Sequence, residues 1–179
     1  MVTNEMLELI RKRRTIRKFT EEDVSEEMLE ALLDAASVAP NRLNRRPLYF
    51  LVIRDESVKA KLAEALRVRP YIEQAALVIA VCGDTSISPT WELDGSAAIE
   101  NLLLAATSLD LGAAWVGSKG SQLWENAIEV LHQAAGVPAG IGVVSLVAVG
   151  HPAEEKRAYE PGENVDRMRL RYNHWDNLM

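Results

Sequence analysis

Arg13, Thr15 and Arg17 alternate within the segment Arg11–Lys18, where six of eight residues are basic. In an extended chain alternate side chains share a face. Two guanidinium groups and a hydroxyl would then point the same way, which makes a grip for a phosphate: arginine gives bidentate charge-assisted hydrogen bonds and threonine adds a neutral donor. A helix ending at Arg11–Arg14 offers a second reason for the cations, the negative end of the helix dipole, and it accounts for Arg13 and Arg14 better than for Arg17. A second basic group follows at Arg42, Arg45 and Arg46. The chain as a whole has 20 Lys and Arg against 26 Asp and Glu, a net charge of -6. Local positive charge in an acidic protein points to a specific small anion more than to a long polyanion, with a solvated charged face as the plainer alternative.

Other chemistries find no residues to carry them. His132, His151 and His174 do not fall at metal-ligand spacing with Cys82, so no metal site is expected. There is no phosphate-binding Gly-x-x-x-x-Gly-Lys-Ser/Thr loop, no dinucleotide fingerprint and no Gly-x-Ser-x-Gly elbow. Cys82 lies within an apolar run and reads as buried filler. His132 reads as a surface residue and His151 as a turn residue.

The elements that must position the basic groups follow from periodicity and caps. Asn4 caps a helix with Met6, Leu7 and Ile10 at helical spacing, and Thr15–Phe19 follows as an extended piece. Ser25 caps a helix to about Val38, with Leu29, Leu32, Leu33 and Ala36 inward, and Pro40 stops it. Residues 40–47 form a loop and Leu48–Ile53 a strand. Ser57 opens a helix to Leu66. Ala75–Cys82 is a buried strand. Asp94–Leu109, apolar nearly all round, is the central helix, with Gly112 closing it. Ala113–Val116 is a strand, Ser121–Ala135 a helix ended by Gly136, and Val143–Val149 the last buried strand. Residues 151–179 are polar, end in Tyr172 and Trp175, and must lie on another surface or stay disordered.

The chain has 179 residues, 48% hydrophobic and 26% charged. Those are ordinary values for one globular domain able to bury about 70% of its surface. One cysteine excludes a disulfide scaffold and fits a reducing compartment. The N-terminus shows no signal pattern, and no apolar run reaches the ~18 residues of a membrane span. A cytoplasmic protein, binding neither nucleic acid nor membrane, is the expectation.

The chain resembles the nitroreductase-like flavoproteins. Lys12–Phe19 is similar to that family's Arg-Arg-Ser-x-Arg-x-Phe opening. Val38–Phe50, reading Val-Ala-Pro-Asn-Arg-Leu-Asn-Arg-Arg-Pro-Leu-Tyr-Phe, resembles its Ala-Pro-Ser-x-x-Asn-x-Gln-Pro-Trp-x-Phe loop and strand. Asp94–Asn101 and Leu109–Gly117 resemble its central helix and following turn, and Val137-Pro138 and Val149–Pro152 two later landmarks. The resemblance implies an α+β fold with a central, mostly antiparallel sheet flanked by helices. It implies a single domain over 1–179 and an obligate homodimer, with two FMN at the interface and residues 151–179 as an arm exchanged across the partner. It places Arg13, Arg14, Thr15 and Arg17 on the phosphate, ribityl chain and N1/O2 edge of FMN. Pro40, Asn41, Arg42 and Asn44 cover the ring from the second subunit, and Trp115, Val116 and Gly117 approach its other side. The family's tail cation aligns with Asn164, leaving Lys156 or Arg157 as the replacement, with Arg157 counted among the expected FMN contacts. Arg46 stands for the usual Gln, Leu48 for the usual Trp, and Asn41 and Arg42 for small serines, which makes the pocket bulkier and more cationic.

The implied activity is transfer of a hydride from NADH or NADPH to flavin N5, then ping-pong reduction of a small-molecule acceptor such as a nitroaromatic or quinone, with no side-chain catalyst. Alternatives are a specialised flavin reductase, dehydrogenase or dehalogenase on this scaffold, for which Arg42, Arg45 and Arg46 suit an anionic substrate. Others are a relic without cofactor, or a non-enzymatic anion or nucleic-acid binder using Arg11–Lys18 and Arg42–Arg46.

Overall fold

The computed structural model describes residues 2–67, 70–117 and 119–178; Met1 and Met179 lie outside them. Helix α1 (Glu5–Lys12) begins where the Asn4 side chain accepts from the Leu7 amide. The extended segment after it pairs twice, Thr15 with Ala113 and Phe19 with Pro152. Helix α2 (Glu26–Ser37) starts at the Ser25 cap. Strand β1 (Leu48–Ile53), helices α3 (Glu56–Leu66) and α4 (Tyr71–Gln74), and strand β2 (Leu77–Asp84) follow. Then come α5 (Trp91–Ser108), β3 (Gly112–Val116), α6 (Gln122–Ala135), β4 (Ile141–Gly150), β5 (Arg171–Tyr172) and β6 (His174–Leu178).

The main sheet has the order β1-β2-β4-β3, with every neighbouring pair antiparallel. Strand β2 alternates perfectly between two cores. Val78, Ala80 and Cys82 join one cluster with Leu62, Ile72 and Leu131; Leu77, Ile79 and Val81 join another with Leu32, Ile99 and Leu102. Helices thus cover both faces, which is why an antiparallel strand reads as one unbroken apolar run. The fold is α+β, as expected. Among the described residues no helix is long and apolar enough to cross a membrane.

Several boundaries differ from the sequence reading. Helix α5 begins at Trp91 and not Asp94. The Trp91 ring fills a slot over Gly83 and Gly142, which face each other in the β2–β4 register, and a Cβ on either glycine would collide with it. Gly112 is not the helix stop. The helix ends at Ser108, Asp110 takes the left-handed conformation (φ 55°), and Gly112 opens β3 because a Cβ there would lie 2.7 Å from the Ile16 side chain. Helix α3 is capped by Asp55 and not by Ser57; the Asp55 carboxylate accepts from the Ser57 and Val58 amides. The Ser57 hydroxyl, then those amides, hold its pKa below the usual value. Strand β2 lies two residues later than expected because α4 occupies the chain before it. His132 is half-buried, its Nδ1 2.6 Å from the Val137 carbonyl oxygen beyond the Gly136 cap.

The tail is ordered in two parts. Residues 151–159 lie along the basic segment: Ala153 N–H donates to the Lys18 carbonyl at 2.8 Å and Tyr159 N–H to the Arg11 carbonyl at 3.0 Å. Residues 171–178 form the β5–β6 hairpin, whose Tyr172 and Trp175 are 64% and 78% exposed.

Candidate active site

The basic segment is held from both sides. On one, the Ile16 amide donates to the Ala113 carbonyl at 3.0 Å, and Ile16 is buried over Gly112. On the other, the Arg17 amide donates to the Glu154 carboxylate at 2.6 Å. That bond, followed by the nearby Lys156 charge, holds the Glu154 pKa below the usual carboxylate range. Lys156 Nζ donates to the Thr15 carbonyl at 2.6 Å. The backbone of a polar, arginine-rich stretch is therefore fixed.

Those groups have different surroundings. Arg13 Nε lies 3.3 Å from Glu100 of α5, yet it is buried without an aligned hydrogen-bond partner. Arg14 donates to the Arg157 carbonyl and stacks 4.2 Å above the Tyr159 ring. Arg17 lies 5.9 Å from the Tyr71 ring centroid. Among the described residues neither Arg14 nor Arg17 has a carboxylate within 4.0 Å. A buried Nε with no aligned acceptor, and two guanidinium groups with no carboxylate within 4.0 Å among the described residues, are donors of the kind a phosphate dianion requires, so the residues present fit a phosphate-bearing cofactor.

The tail brings Lys156 onto Thr15, whereas the Arg157 guanidinium turns to Glu163 in a bidentate pair of 2.7 and 2.7 Å. The Arg157 hydrogen bonds hold the Glu163 pKa down to about 2. Sequence reasoning left Lys156 and Arg157 equivalent. The unspaced acid Glu163, six residues on, separates them, and its reach through a turn at 160–163 is not a periodic signal.

The α2–β1 loop forms a second group. Leu43, Asn44 and Arg46 all take positive φ, at 51°, 54° and 51°, conformations that non-glycine residues hold only when their surroundings enforce them. The enforcement is visible. The Arg42 amide donates to the Asp94 carboxylate at 3.2 Å, whose other oxygen takes the Ser88 hydroxyl at 3.0 Å. The Arg46 amide donates to Asn41 Oδ1 at 2.9 Å. Asp94 is 6% exposed and Ser88 fully buried. Sequence reasoning missed Asp94 as the anchor; its only signal was a carboxylate in the first turn of an otherwise apolar helix. Asn41, Asn44 and Arg46 line a cavity of about 460 Å³ with Val38, Leu48 and Phe50. Pro40 is exposed at the head of this loop.

The end of β3 is the third group. Val116 is buried and its carbonyl accepts from Ser145 Oγ at 2.6 Å. A Cβ at Gly117 would lie 2.8 Å from that hydroxyl. Trp115, on the other face, is 39% exposed. Thr15 ties this strand to the basic segment through Ala113, so the first and third groups share one sheet edge. Among the described residues no cluster of His, Cys, Asp and Glu could hold a metal ion.

Fold and site together define a small α+β protein with an arginine-rich cluster held at a sheet edge. The model of the Nitroreductase family matches residues 10–92 and 71–151. An Archaeoglobus fulgidus protein, provisionally named NADH dehydrogenase/NAD(P)H nitroreductase, is 35% identical over 175 residues, 96% of this chain and 99% of its own. An FMN-dependent nitroreductase of Clostridium difficile superposes with a TM-score of 0.87 at 27% identity, over 94% of this chain and 99% of that one. A nitroreductase-like structure from Desulfovibrio desulfuricans, solved in complex with FMN, gives 0.78 at 34% identity, over 89% and 94%. The chain belongs to the nitroreductase family.

Proposed function

We propose that this chain is an FMN-dependent NAD(P)H oxidoreductase that acts as a homodimer and passes electrons in ping-pong order to a small-molecule acceptor such as a nitroaromatic or quinone. The observation that carries the reading is the pinned basic segment, whose backbone is tied to β3 and to the tail while Arg14 and Arg17 keep no carboxylate partner among the described residues. The names of the A. fulgidus, C. difficile and D. desulfuricans relatives, which mention NAD(P)H and FMN, support it.

When bound, FMN would supply the redox chemistry between the nicotinamide and the acceptor. The chain's own residues bind and orient. Arg13 and Arg14 offer their guanidinium groups to the phosphate, and Thr15 its hydroxyl to the ribityl chain. Arg17 would set a positive charge at the N1/O2 edge of the flavin. Pro40, Asn41, Arg42 and Asn44 would cover the ring from the partner, and Trp115, Val116 and Gly117 would approach its other side. Lys156, bonded to the Thr15 carbonyl, adds the tail cation to this set, in place of Arg157, whose guanidinium is taken by Glu163. The dimer rests on the arm: Met168, Tyr172, Trp175 and Leu178 are each more than half exposed, an apolar face that one protomer does not cover.

The purified protein should be yellow and release a compound of FMN mass. Under anaerobic conditions NADH or NADPH should bleach its visible band, and a nitroaromatic or quinone should restore it. A protein that binds FMN but bleaches with neither donor overturns the reading. Arg13→Ala should weaken FMN about tenfold to hundredfold, the worth of one charge-assisted contact of about 1.5–3 kcal/mol; unchanged affinity removes Arg13 from the phosphate site.

A further inference from the structure

The first stretch of the tail runs antiparallel to the basic segment, but only its beginning pairs through the backbone. Phe19 bridges Pro152, the Thr20 amide donates to the His151 carbonyl at 2.9 Å, and the Ala153 amide donates to the Lys18 carbonyl at 2.8 Å. From Arg17 back to Arg14, side chains take over. The Arg17 amide donates to the Glu154 carboxylate at 2.6 Å, Lys156 Nζ donates to the Thr15 carbonyl at 2.6 Å, and Arg14 reaches the Arg157 carbonyl. Glu154 brings an acceptor to an amide and Lys156 a donor to a carbonyl, so each side chain supplies what a facing strand would have supplied. Their charged ends lie 3.5 Å apart, an ion pair laid along the backbone that it holds.

In a segment whose guanidinium groups are to meet an anion, a carboxylate has the wrong sign for its charge to help. Its geometry is what helps. The amides of Ile16 and Arg17 are held on opposite sides, the first by the Ala113 carbonyl of β3 and the second by Glu154. Holding successive amides this way keeps the chain extended, so that Thr15 and Arg17 share one face. A hydrogen bond to an ionised acceptor is about twice as strong as one between neutral groups, and Glu154 provides it from a half-buried position. Without that bond the segment keeps its tie to β3, and the peptide between Ile16 and Arg17 is free to turn.

We propose that Glu154 is a positioning residue of the cofactor site: by holding the Arg17 amide it presets the backbone from Thr15 to Arg17 for FMN, without touching FMN itself. The inference rests on the oxidoreductase reading above and adds a residue to its site.

The test measures FMN binding to the full chain, freed of flavin, by calorimetry, and hydrogen exchange at the Arg17 amide of the same flavin-free chain. Glu154→Ala should weaken FMN by about tenfold, the lower end of what one hydrogen bond to a charged group holds, and should speed Arg17 exchange by a similar factor. Glu154→Gln keeps a neutral acceptor at the same reach and should recover most of both, binding FMN about twofold to threefold more weakly than wild type. Glu155→Ala removes the same charge from the next, exposed residue and should stay within about twofold of wild type. Charge acting alone predicts the opposite sign: losing a carboxylate, and releasing Lys156 from it, would tighten a dianion in Glu154→Ala and Glu154→Gln alike. FMN binding in Glu154→Ala as tight as in wild type, a glutamine variant as weak as the alanine one, or unmoved Arg17 exchange overturns the inference. If the alanine variant does not fold, FMN binding in Glu154→Gln tighter than in wild type overturns it as well. In each of these cases a wild type that binds FMN and is bleached by NADH or NADPH leaves the oxidoreductase reading standing; a wild type that takes up no FMN removes both.

Discussion

Replacing Asp94 should uncouple the α2–β1 loop from the core. The carboxylate sits in the first turn of α5 and is 6% exposed. Its bond to the fully buried Ser88 hydroxyl, at 3.0 Å, is the stronger one; a hydrogen bond to a charged group is worth about 1.5–3 kcal/mol. The Arg42 amide, at 3.2 Å, belongs to an exposed residue that water can reach, and contributes about 0.5–1.5 kcal/mol. The Thr90 hydroxyl at 3.5 Å is at the limit of bonding. Asp94→Ala should therefore cost about 2–4 kcal/mol, and at about 2–4 °C per kcal/mol for a chain of this size the Tm should fall about 5–15 °C. Asp94→Asn keeps the shape and one acceptor and should cost about 1 kcal/mol, a fall of about 2–4 °C. The loop itself offers the sharper assay. Trypsin should nick Asp94→Ala after Arg42 and Arg45 well below its Tm, because the left-handed residues 43, 44 and 46 lose the anchor that enforces them. A Tm within about 2 °C of wild type for the alanine variant, or unchanged cleavage in the loop, refutes the reasoning.

Gly142→Ala drives a methyl into the Trp91 ring and should destabilise by about 1–3 kcal/mol in denaturant unfolding; Gly140→Ala, with nothing within 4 Å of its Cβ, should change stability by less than about 0.5 kcal/mol. Burial pushes the Cys82 thiol up to about 11, so the folded protein should not react with a thiol-disulfide reagent near neutral pH, and the single cysteine should react after denaturation; rapid reaction of the native form would contradict the packing. Glu163 is held down to about 2 from the ordinary 4.5 by Arg157 and the Glu160 amide. A depressed carboxyl pKa contributes fully above 4.5 and is lost as pH falls toward 2. Observed by NMR, Glu163 should titrate near 2 in the wild type and return toward 4.5 in Arg157→Ala; a wild-type value near 4.5 would show that the pair does not form.

Most of the fold was legible because the helices announce themselves twice, by cap and by period. Asn4, Ser25 and Ser121 each accept from the amide three residues on, and Gly136 ends α6 with φ 72°. Two of the misplaced boundaries are set by partners distant in sequence: Trp91 by Gly83 and Gly142, and Gly112 by Ile16. Local propensity sees a glycine after a helix and reads a stop; only the sheet shows that it is a gap left for another side chain. Composition alone left the tail either disordered or laid on another surface; its pairing with the basic segment rests on backbone bonds such as Ala153 to Lys18, which side-chain identity does not encode.

The candidate site divides along the same line. Charge density along Arg11–Lys18 and Arg42–Arg46 told where an anion would be met, since charge is a property of composition. It could not tell which arginine does what. Arg45 and Arg46 are neighbours with the same side chain, yet one bonds the Ile87 carbonyl and the other lines the cavity. The difference comes from positive φ at Leu43, Asn44 and Arg46, which no periodicity expects of such residues. Each such residue costs about 1–3 kcal/mol, and the loop keeps three in four positions. Asn41 on one side and Asp94 on the other offset that cost by holding the Arg46 and Arg42 amides. A loop that only linked α2 to β1 could place glycine at these positions and relax. This loop keeps leucine, asparagine and arginine there and is held in shape by Asn41 and Asp94, with Arg46 among the residues that line the cavity.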